Sequence, residues 1–261
     1  MAPEKLWKIA RFVLILGSLP AANAQNLTFK TPSVKIPLEI KDQQVTIVAS
    51  AQITRVSEER GVNVVRLDLT ADLSDLQQNM TALLSSELDT DDRCGDHIEI
   101  QHASLTPQDP AGLVVVQLHY ERRACVKVLG KQQASRLVGG DAAIQTRLTP
   151  VVEGNKTKLR LIAEVGSIEA DGSLGQLLRA GPLGEMLRDK IRNSVQSALQ
   201  KGAELDATLP PSVQPYVSIQ NARFRNGGAG RIEVVLTGEF RITNEQLQAL
   251  SSEVKTRAGV R

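Results

Sequence analysis

The three histidines are the side chains best suited to chemistry in this sequence, and all fall in one short stretch: His97, His102 and His119. If residues 97–128 form a β-hairpin, His119 shares a strand face with Glu99 and Glu121, and an imidazole with two carboxylates can hold a weak metal site. The alternative is the solvated polar face of a half-buried hairpin. We favour that alternative, because metal ligands need supporting hydrogen bonds that the sequence does not reveal. No metal and no other cofactor is therefore expected.

Two cysteines flank the turn of the same hairpin. Cys94 lies 16 residues before Pro110, which marks the turn, and Cys125 lies 15 residues after it, so the two are nearly opposite each other across the strands. A disulfide is the default for such a pair in an oxidising compartment, and closing this loop contributes about 3–4 kcal/mol in the chain-entropy model. A redox-active pair is the alternative, but the C-x-x-C spacing typical of that function is missing.

The sequence lacks the motifs that usually carry catalysis or nucleotide binding. It contains no G-x-S-x-G elbow, no H-E-x-x-H zinc motif, no Walker loop and no dinucleotide fingerprint. We therefore assign no catalytic residue and predict that the chain is not an enzyme. A hydrolase whose site is spread over several loops is a minor alternative, because no nucleophile–base motif supports it.

Residues 1–24 have the three-part pattern of a secretory signal peptide. Basic residues precede a short apolar run at 12–16, and Ala22-Asn23-Ala24 supplies a small-x-small cleavage site before Gln25. The apolar run is much shorter than the ~20 residues that a membrane span needs, so a membrane anchor is the weaker interpretation. We expect an exported protein of the periplasm, or a secreted one, with no transmembrane segment in the mature chain.

The composition of the 261 residues is that of a globular protein, with 41% hydrophobic, 23% charged and 3% aromatic residues. Removing residues 1–24 takes away three of the 31 basic residues and one of the 29 acidic residues, so the remaining chain carries no net charge. With no basic run and few aromatic rings for base stacking, nucleic acid is not an expected partner.

The remaining residues, 25–261, predict a single α+β domain in which most segments have the alternation or the β-branched content of strands. The strand-like segments are 34–40, 43–56, 62–71, 97–105, 113–128, 142–149, 158–168, 216–225 and 231–242. Three segments have helical periodicity: 73–88, 173–201 and 244–256. Gly181-Pro182 predicts a break in the second helix, and Thr243 with Gln246 predicts a capping box at the start of the third.

The long helix 173–201 carries an apolar stripe after its predicted break. The stripe consists of Leu183, Leu187, Ile191, Val195 and Leu199, with Met186 beside it. Antiparallel hairpins need a covered apolar face, and one sheet of so many strands would curl or split. We therefore predict a strongly curved antiparallel sheet that wraps around the helix, with the stripe against its concave face.

Two hairpin segments share a sequence pattern. Residues 98–105 match residues 217–224, and Ile-Gln-x-Ala is identical in both. With one residue deleted in the turn, the second strands also match: Gly112, Val116, Leu118 and Glu121 with Gly230, Val234, Leu236 and Glu239. The chain is therefore predicted to contain two strand–strand–helix–strand–strand repeats, at about 43–128 and 142–242.

Four segments carry a resemblance to a known group of proteins: residues 183–191, Ser194-Val195-x-x-Ala198-Leu199, Leu209-Pro210 and the hairpin 216–242. With the signal peptide and the duplicated unit, they resemble the tubular lipid-binding (TULIP) superfamily. That group includes the bactericidal/permeability-increasing-like and synaptotagmin-like mitochondrial-lipid-binding (SMP) domains and bacterial periplasmic relatives. The resemblance covers most of the mature chain as architecture. It implies an apolar groove between helix and sheet that binds acyl chains, and no fixed catalytic residues.

We therefore expect an exported, non-enzymatic protein that binds a lipid or another apolar ligand, with lipid transfer as an open extension. The expected lining of the groove is the helix stripe: Leu183, Met186, Leu187, Ile191, Val195 and Leu199. The alternative is a structural or interaction protein of the cell envelope. In that case the stripe is filled core, and an exposed sheet edge or the tail 244–261 binds an envelope protein partner. An internal cavity would distinguish the two.

Overall fold

The structure is a computed structural model, and it describes residues 28–40, 43–59, 61–128, 131–153, 158–203, 217–243 and 245–246. The predicted signal peptide, 1–24, lies outside these residues, as does most of the predicted helix 244–256. Two hydrogen bonds define the predicted capping box: the Thr243 backbone N–H donates to Oε1 of Gln246 at 3.0 Å, and the Gln246 N–H donates to Oγ1 of Thr243 at 3.1 Å. The capping box is confirmed, whereas the helix that it would start stays a prediction.

Within the described residues the chain forms eleven strands and four helices. The strands are β1 Thr28–Lys30, β2 Val34–Ile40, β3 Gln43–Glu59, β4 Val62–Asp72, β5 Thr90–Asp91, β6 Asp96–Gln108, β7 Ala111–Val128, β8 Lys131–Glu153, β9 Lys158–Ala170, β10 Val217–Asn226 and β11 Ile232–Thr243. The helices are α1 Ser74–Gln78, α2 Met80–Leu88, α3 Gly172–Leu178 and α4 Gly181–Ala203. Across this part of the chain, none of the helices combines the length and the apolar character that crossing a membrane requires.

The strands form two antiparallel sheets. The first sheet has the order β1-β3-β4-β11-β10, with β2 also paired to β3, and the second sheet has the order β5-β6-β7-β8-β9. The curled, mostly antiparallel arrangement with few helices agrees with the α+β prediction. The prediction of one continuous sheet is wrong, because β4 pairs with the distant strand β11 and not with β5 or β6, which follow it along the chain. Local alternation of apolar residues carries no signal for such long-range pairing. Each sheet thereby combines one hairpin from each predicted repeat.

Helix α4 packs on the second sheet through strand β9, and it also contacts helices α2 and α3. The sequence predicts one helix over 173–201 with a break, and the structure has two: α3 ends at Leu178 and α4 begins at Gly181. Gly181 has a φ of 52°, a left-handed conformation that glycine adopts without steric cost. Pro182 follows in the first turn of α4, where its missing N–H would have no intrahelical partner in any case.

One apolar core lies between the second sheet and the helices. Strand β7 illustrates how it is built, because Val114, Val116, Leu118 and Tyr120 alternate toward the inside and are buried. Helix α4 adds Ile191, Val195, Ala198 and Leu199 to the same core. Phe224 and Ile232, from the hairpin of the first sheet, complete it and connect the two sheets.

The shared Ile-Gln-x-Ala pattern carries a β-bulge in both hairpins. The pairing register skips Gln101 between β6 and β7, and it skips Gln220 between β10 and β11. A bulge leaves one residue without a partner and bends the strand locally. The first strand of each hairpin therefore has the same backbone irregularity at the glutamine of the shared pattern.

The predicted match of the second strands is wrong by two residues. Ala103 pairs with Val116, whereas Ala222 pairs with Leu236, so Val116 corresponds to Leu236 and not to Val234. The same shift applies to the predicted matches of Gly112, Leu118 and Glu121. The cause is the second turn, 227–231, which is longer than the first turn, 109–110. The repeat itself stays a prediction.

The predicted disulfide joins Cys94 to Cys125, with 5.2 Å between their Cα atoms. Cys94 lies in the short connection between β5 and β6, and Cys125 lies in the part of β7 that extends beyond the first residue of β6. The disulfide therefore holds this extension of β7 against the connection between β5 and β6, as the position of the turn predicts.

Candidate functional site

A groove of about 760 Å³ lies between helix α4 and the opposing wall formed by α2, β5 and β6. The opposing wall contributes Glu87, Leu88, Thr90 and Ile98. Helix α4 contributes Met186, Asp189, Lys190, Asn193, Ser194, Ser197 and Ala198. Because side chains three or four positions apart share a face of a helix, these α4 residues form one continuous stripe beside the buried one.

The groove has an apolar floor and a polar wall. Leu88 and Ala198 are buried and Ile98 is half-buried, so their side chains give the apolar part. Asn193 and Ser197 are exposed on α4 and offer hydrogen-bonding groups. A site with these two parts can orient a ligand that has an apolar portion and a polar one.

The six predicted lining residues occupy three different environments. Ile191, Val195 and Leu199 are 6%, 2% and 6% exposed and pack in the core, and half-buried Leu187 packs against them. Met186 lines the groove, and Leu183 is exposed. Of the six predicted residues, the structure therefore brings only Met186 to the groove. The others differ because an apolar residue at every fourth position marks the side of a helix that faces the core. Their assignment as ligand contacts stays a prediction.

Two large apolar side chains are exposed at the start of helix α4. Leu183 is 67% exposed and Met186 is 69% exposed. A spacing of three positions places them on the same side of the helix, and Met186 is at the same time part of the groove. The groove therefore opens next to an apolar surface.

Asp96 ties helix α4 to the second sheet beside the groove. Its carboxylate accepts hydrogen bonds from Nζ of Lys190, from the Tyr120 hydroxyl at 2.7 Å and from the Arg122 guanidinium at 2.9 Å. Burial of Asp96 acts to raise its pKa, but the hydrogen bonds from Lys190 and Tyr120 outweigh burial, so the pKa lies below its ordinary value of 3.8. Asp96 is therefore ionised at neutral pH and holds the helix electrostatically.

Tyr120 stays protonated in this cluster. Burial, and then the hydrogen bond to Asp96, raise the pKa of the Tyr120 hydroxyl to about 12. The hydroxyl is therefore a hydrogen-bond donor at neutral pH, and it has no role as a base. Sequence reasoning missed this cluster, because Asp96 and Lys190 are 94 positions apart and no local pattern connects them.

His119 belongs to a separate network on the outer face of the second sheet. Its Nδ1 lies 2.6 Å from Oδ1 of Asp141, and its Nε2 lies 3.4 Å from Oε1 of Glu121. The hydrogen bond to Asp141 is the main reason that the pKa of His119 is raised. Glu121 is also held by Arg123 at 2.9 Å and by Arg136 at 3.2 Å.

This network is a set of ion pairs on a polar sheet face. His119 and Glu121 alternate along β7 with the buried Leu118 and Tyr120, so they point away from the core. Glu99 is directly opposite His119 in the strand register. Among the residues that the structure describes, no three His, Cys, Asp or Glu side chains are arranged to hold a metal ion.

Comparisons with known proteins give weak structural similarity and no sequence match. No family model matches the chain, and no curated protein sequence matches it either. A crystal structure of lipopolysaccharide binding protein matches with a TM-score of 0.36 and 7% sequence identity, over 92% of this chain and 95% of that chain. Similarity at this level assigns neither a family nor a function.

Proposed function

We propose that the chain binds a lipid or a similar amphiphile in the groove between helix α4 and the wall of α2, β5 and β6. The observation that carries the proposal is the amphipathic groove whose mouth is continuous with an exposed apolar surface. The apolar floor would take the hydrocarbon chain of the ligand, and the polar residues of α4 would take its headgroup. The exposed Leu183 and Met186 would cover the hydrocarbon chain as it enters the groove.

The size of the groove supports one small amphiphile. Its volume of about 760 Å³ falls within the range of roughly 300–1,000 Å³ that is usual for ligand sites. Affinity would come from apolar area removed from water, at about 25 cal/mol per Å². Binding of this kind needs no catalytic group, and the groove lining contains serines without a histidine, which favours binding over acyl transfer.

We also infer that the protein works in an oxidising compartment after export, and the periplasm is the proposed location. The disulfide between Cys94 and Cys125 supports this inference, because disulfides persist in such compartments. The signal peptide predicted at 1–24 is an independent argument from the sequence. Transfer of the bound lipid would be an extension of the same activity.

A structural or interaction protein of the cell envelope is the second candidate. The observation that favours it is the burial of Ile191, Val195 and Leu199 in a packed core, because that stripe then has no room for a ligand. In this case the groove would be a surface feature, and an envelope protein would be the partner.

The test is organic extraction and mass spectrometry of the chain purified with its disulfide intact and without detergent. The proposal expects a lipid in a stoichiometric amount, or saturable uptake of a fluorescent acyl probe by the delipidated protein. Protein that carries no lipid and takes up no probe would contradict the proposal. The result would then favour the envelope interaction protein, and cross-linking would identify its partner.

A further inference from the structure

Strand β9 is an edge of the second sheet. One side of β9 pairs with β8, and within the described residues no strand pairs with its other side. Its remaining main contacts are to helices α4 and α3. An edge strand presents unpaired N–H and C=O groups, which are a template for pairing with another strand.

The first part of β9 is regular and alternates cleanly. Its register with β8 is unbroken from Lys158 to Val165, and the irregularity follows at 166–167. Arg160, Ile162 and Glu164 share the outer face, where the two charged residues are exposed and Ile162 is half-buried. Leu161 and Ala163 face the core side.

We propose that two copies of this chain form a symmetric dimer by antiparallel pairing of their β9 edges about Ile162, as the self-complementary order Arg160-x-Ile162-x-Glu164 on this exposed edge indicates. In this register Arg160 lies opposite the partner subunit's Glu164, and Glu164 lies opposite the partner subunit's Arg160. Ile162 lies opposite the partner subunit's Ile162 on the two-fold axis. On the core side, Leu161 lies opposite the partner subunit's Ala163 and extends the apolar face.

The charges along the edge favour a second copy over an unrelated strand. Arg160 is near the start of β9, and Glu164 follows four residues further along. Antiparallel pairing of β9 with itself about Ile162 places the basic residue of each strand opposite the acidic residue of the other. Directly opposite residues of unlike charge stabilise a strand pair, and a C2 interface requires this kind of self-complementarity.

The existing contacts of the two charged residues leave room for this pairing. Arg160 is 58% exposed and donates to Oε1 of Glu153 at 3.0 Å, and a guanidinium has further N–H groups for a second carboxylate. Glu164 lies opposite Arg147 of β8 in the register. In the dimer Glu164 would therefore lie between Arg147 and the partner subunit's Arg160, with a basic residue on each side.

Charge reversal tests the proposal by sedimentation velocity over a range of concentrations. The unchanged chain should form a dimer. Arg160→Glu and Glu164→Arg should each weaken the dimer by about tenfold or more, because each places like charges opposite each other twice. The double variant Arg160→Glu/Glu164→Arg restores the complementarity and should restore the dimer. Both positions are exposed, so circular dichroism should show the native fold in all variants.

Cross-linking tests the register. Opposite residues in an antiparallel pair have Cα atoms about 4.5–5.5 Å apart, a separation that a disulfide can bridge. Ile162→Cys should therefore give a covalent dimer under mild oxidation. Leu137→Cys, at a 61% exposed position away from β9, is the control for disulfides formed by random collision, and it should give little covalent dimer.

Three results would overturn the proposal. The first is a monomer at every concentration, in which case the charges on β9 protect the edge from pairing. The second is a dimer that the single reversals leave unchanged or that the double reversal fails to restore. The third is oxidation of Ile162→Cys to a covalent dimer no faster than Leu137→Cys.

Discussion

Lys190 in helix α4 donates a hydrogen bond to Asp96 at the start of strand β6. Asp96 also accepts from Tyr120 and Arg122 of β7, so one carboxylate connects the helix with two strands. Lys190 also lines the groove. The position of helix α4 beside the groove therefore depends on this ionic contact.

Asp96→Asn should destabilise the protein at neutral pH. A carboxylate accepts stronger hydrogen bonds from charged donors than an amide does, so the free energy of unfolding should fall by about 1–3 kcal/mol. Because the folded-state pKa of Asp96 is depressed, its contribution is complete above the unfolded value near 3.8 and is lost as pH falls through the folded value. Urea denaturation at neutral and acidic pH should show the two proteins converging in acid.

Asp189→Asn is the matched control for Asp96→Asn. Asp189 also lines the groove, but it is 61% exposed and pairs with Arg192 on the same helix. Exposed ion pairs of this kind contribute under about 1 kcal/mol, so the control should be close to wild type. Equal destabilisation by the two substitutions would contradict the role of Asp96.

His119→Gln should remove one component of the pH dependence of stability. The pKa of His119 is raised in the folded state, mainly by the hydrogen bond to Asp141. Its stabilisation is therefore complete below the unfolded value near 6.5 and is lost as pH rises through the folded value. Because the side chain is 26% exposed, we expect an effect under about 1 kcal/mol.

Urea denaturation across that window measures this component. Wild type should lose stability as pH rises, and His119→Gln should lack this loss. His102→Gln, at an exposed position of β6, is the control and should behave as wild type does. A pH profile of stability in His119→Gln that is the same as in wild type would contradict the prediction.

Thr146→Val should stabilise the fold. Thr146 is 0% exposed, and its Oγ1 has no hydrogen-bond partner among the described residues. It lies between Val114 and Val165 in the strand register. Valine has nearly the same shape without the hydroxyl, so the free energy of unfolding should rise by about 1–3 kcal/mol.

The control for Thr146→Val is Thr149→Val on the same strand. Thr149 is half-buried, so removing its hydroxyl should change stability by less than about 0.5 kcal/mol. Thermal denaturation of both variants checks the difference. A loss of stability in Thr146→Val would show that the hydroxyl has a partner in solution.

Loss of the disulfide should lower stability strongly. The bond joins residues separated by 31 positions, and a loop of this size contributes about 3–4 kcal/mol in the chain-entropy model. Cys94→Ser/Cys125→Ser should show this decrease in denaturant unfolding, and wild type treated with a reductant is the comparison. A double variant as stable as the oxidised protein would contradict the prediction.

Ser197→Trp should block the groove. Ser197 is exposed and lines the groove from helix α4, so an indole there would occupy space needed by the ligand. Binding of an acyl probe should fall by about tenfold or more. Glu185→Trp adds the same ring at an exposed α4 position outside the groove lining, and it should bind as wild type does. Equal binding of the acyl probe by both variants would show that the groove is not the binding site.

Local features of the fold could be predicted from the sequence. The turn at Pro110 placed the two cysteines opposite each other, and Gly181-Pro182 marked the start of α4, because turn geometry and helix termini depend on adjacent residues. The strand pattern also identified the polar face of the hairpin that carries His119 and Glu121. These features need no knowledge of distant parts of the chain.

The division into two sheets and the location of the groove could not be predicted in the same way. The pairing of β4 with β11 depends on contacts between distant segments, and the link from Asp96 to Lys190 does too. The groove lies beside the polar stripe that contains Asn193 and Ser197, whereas hydrophobic periodicity identifies the stripe that enters the core.

The pairing of β4 with β11 sets an order of folding. The second sheet joins strands that follow one another along the chain, so its hairpins can form as soon as residues 90–170 are available. The first sheet must wait for β11, because Thr70 pairs with Val235. During synthesis this edge of β4 is therefore unpaired until β11 has been made, and we expect this interval to be the one in which the protein is most prone to aggregate.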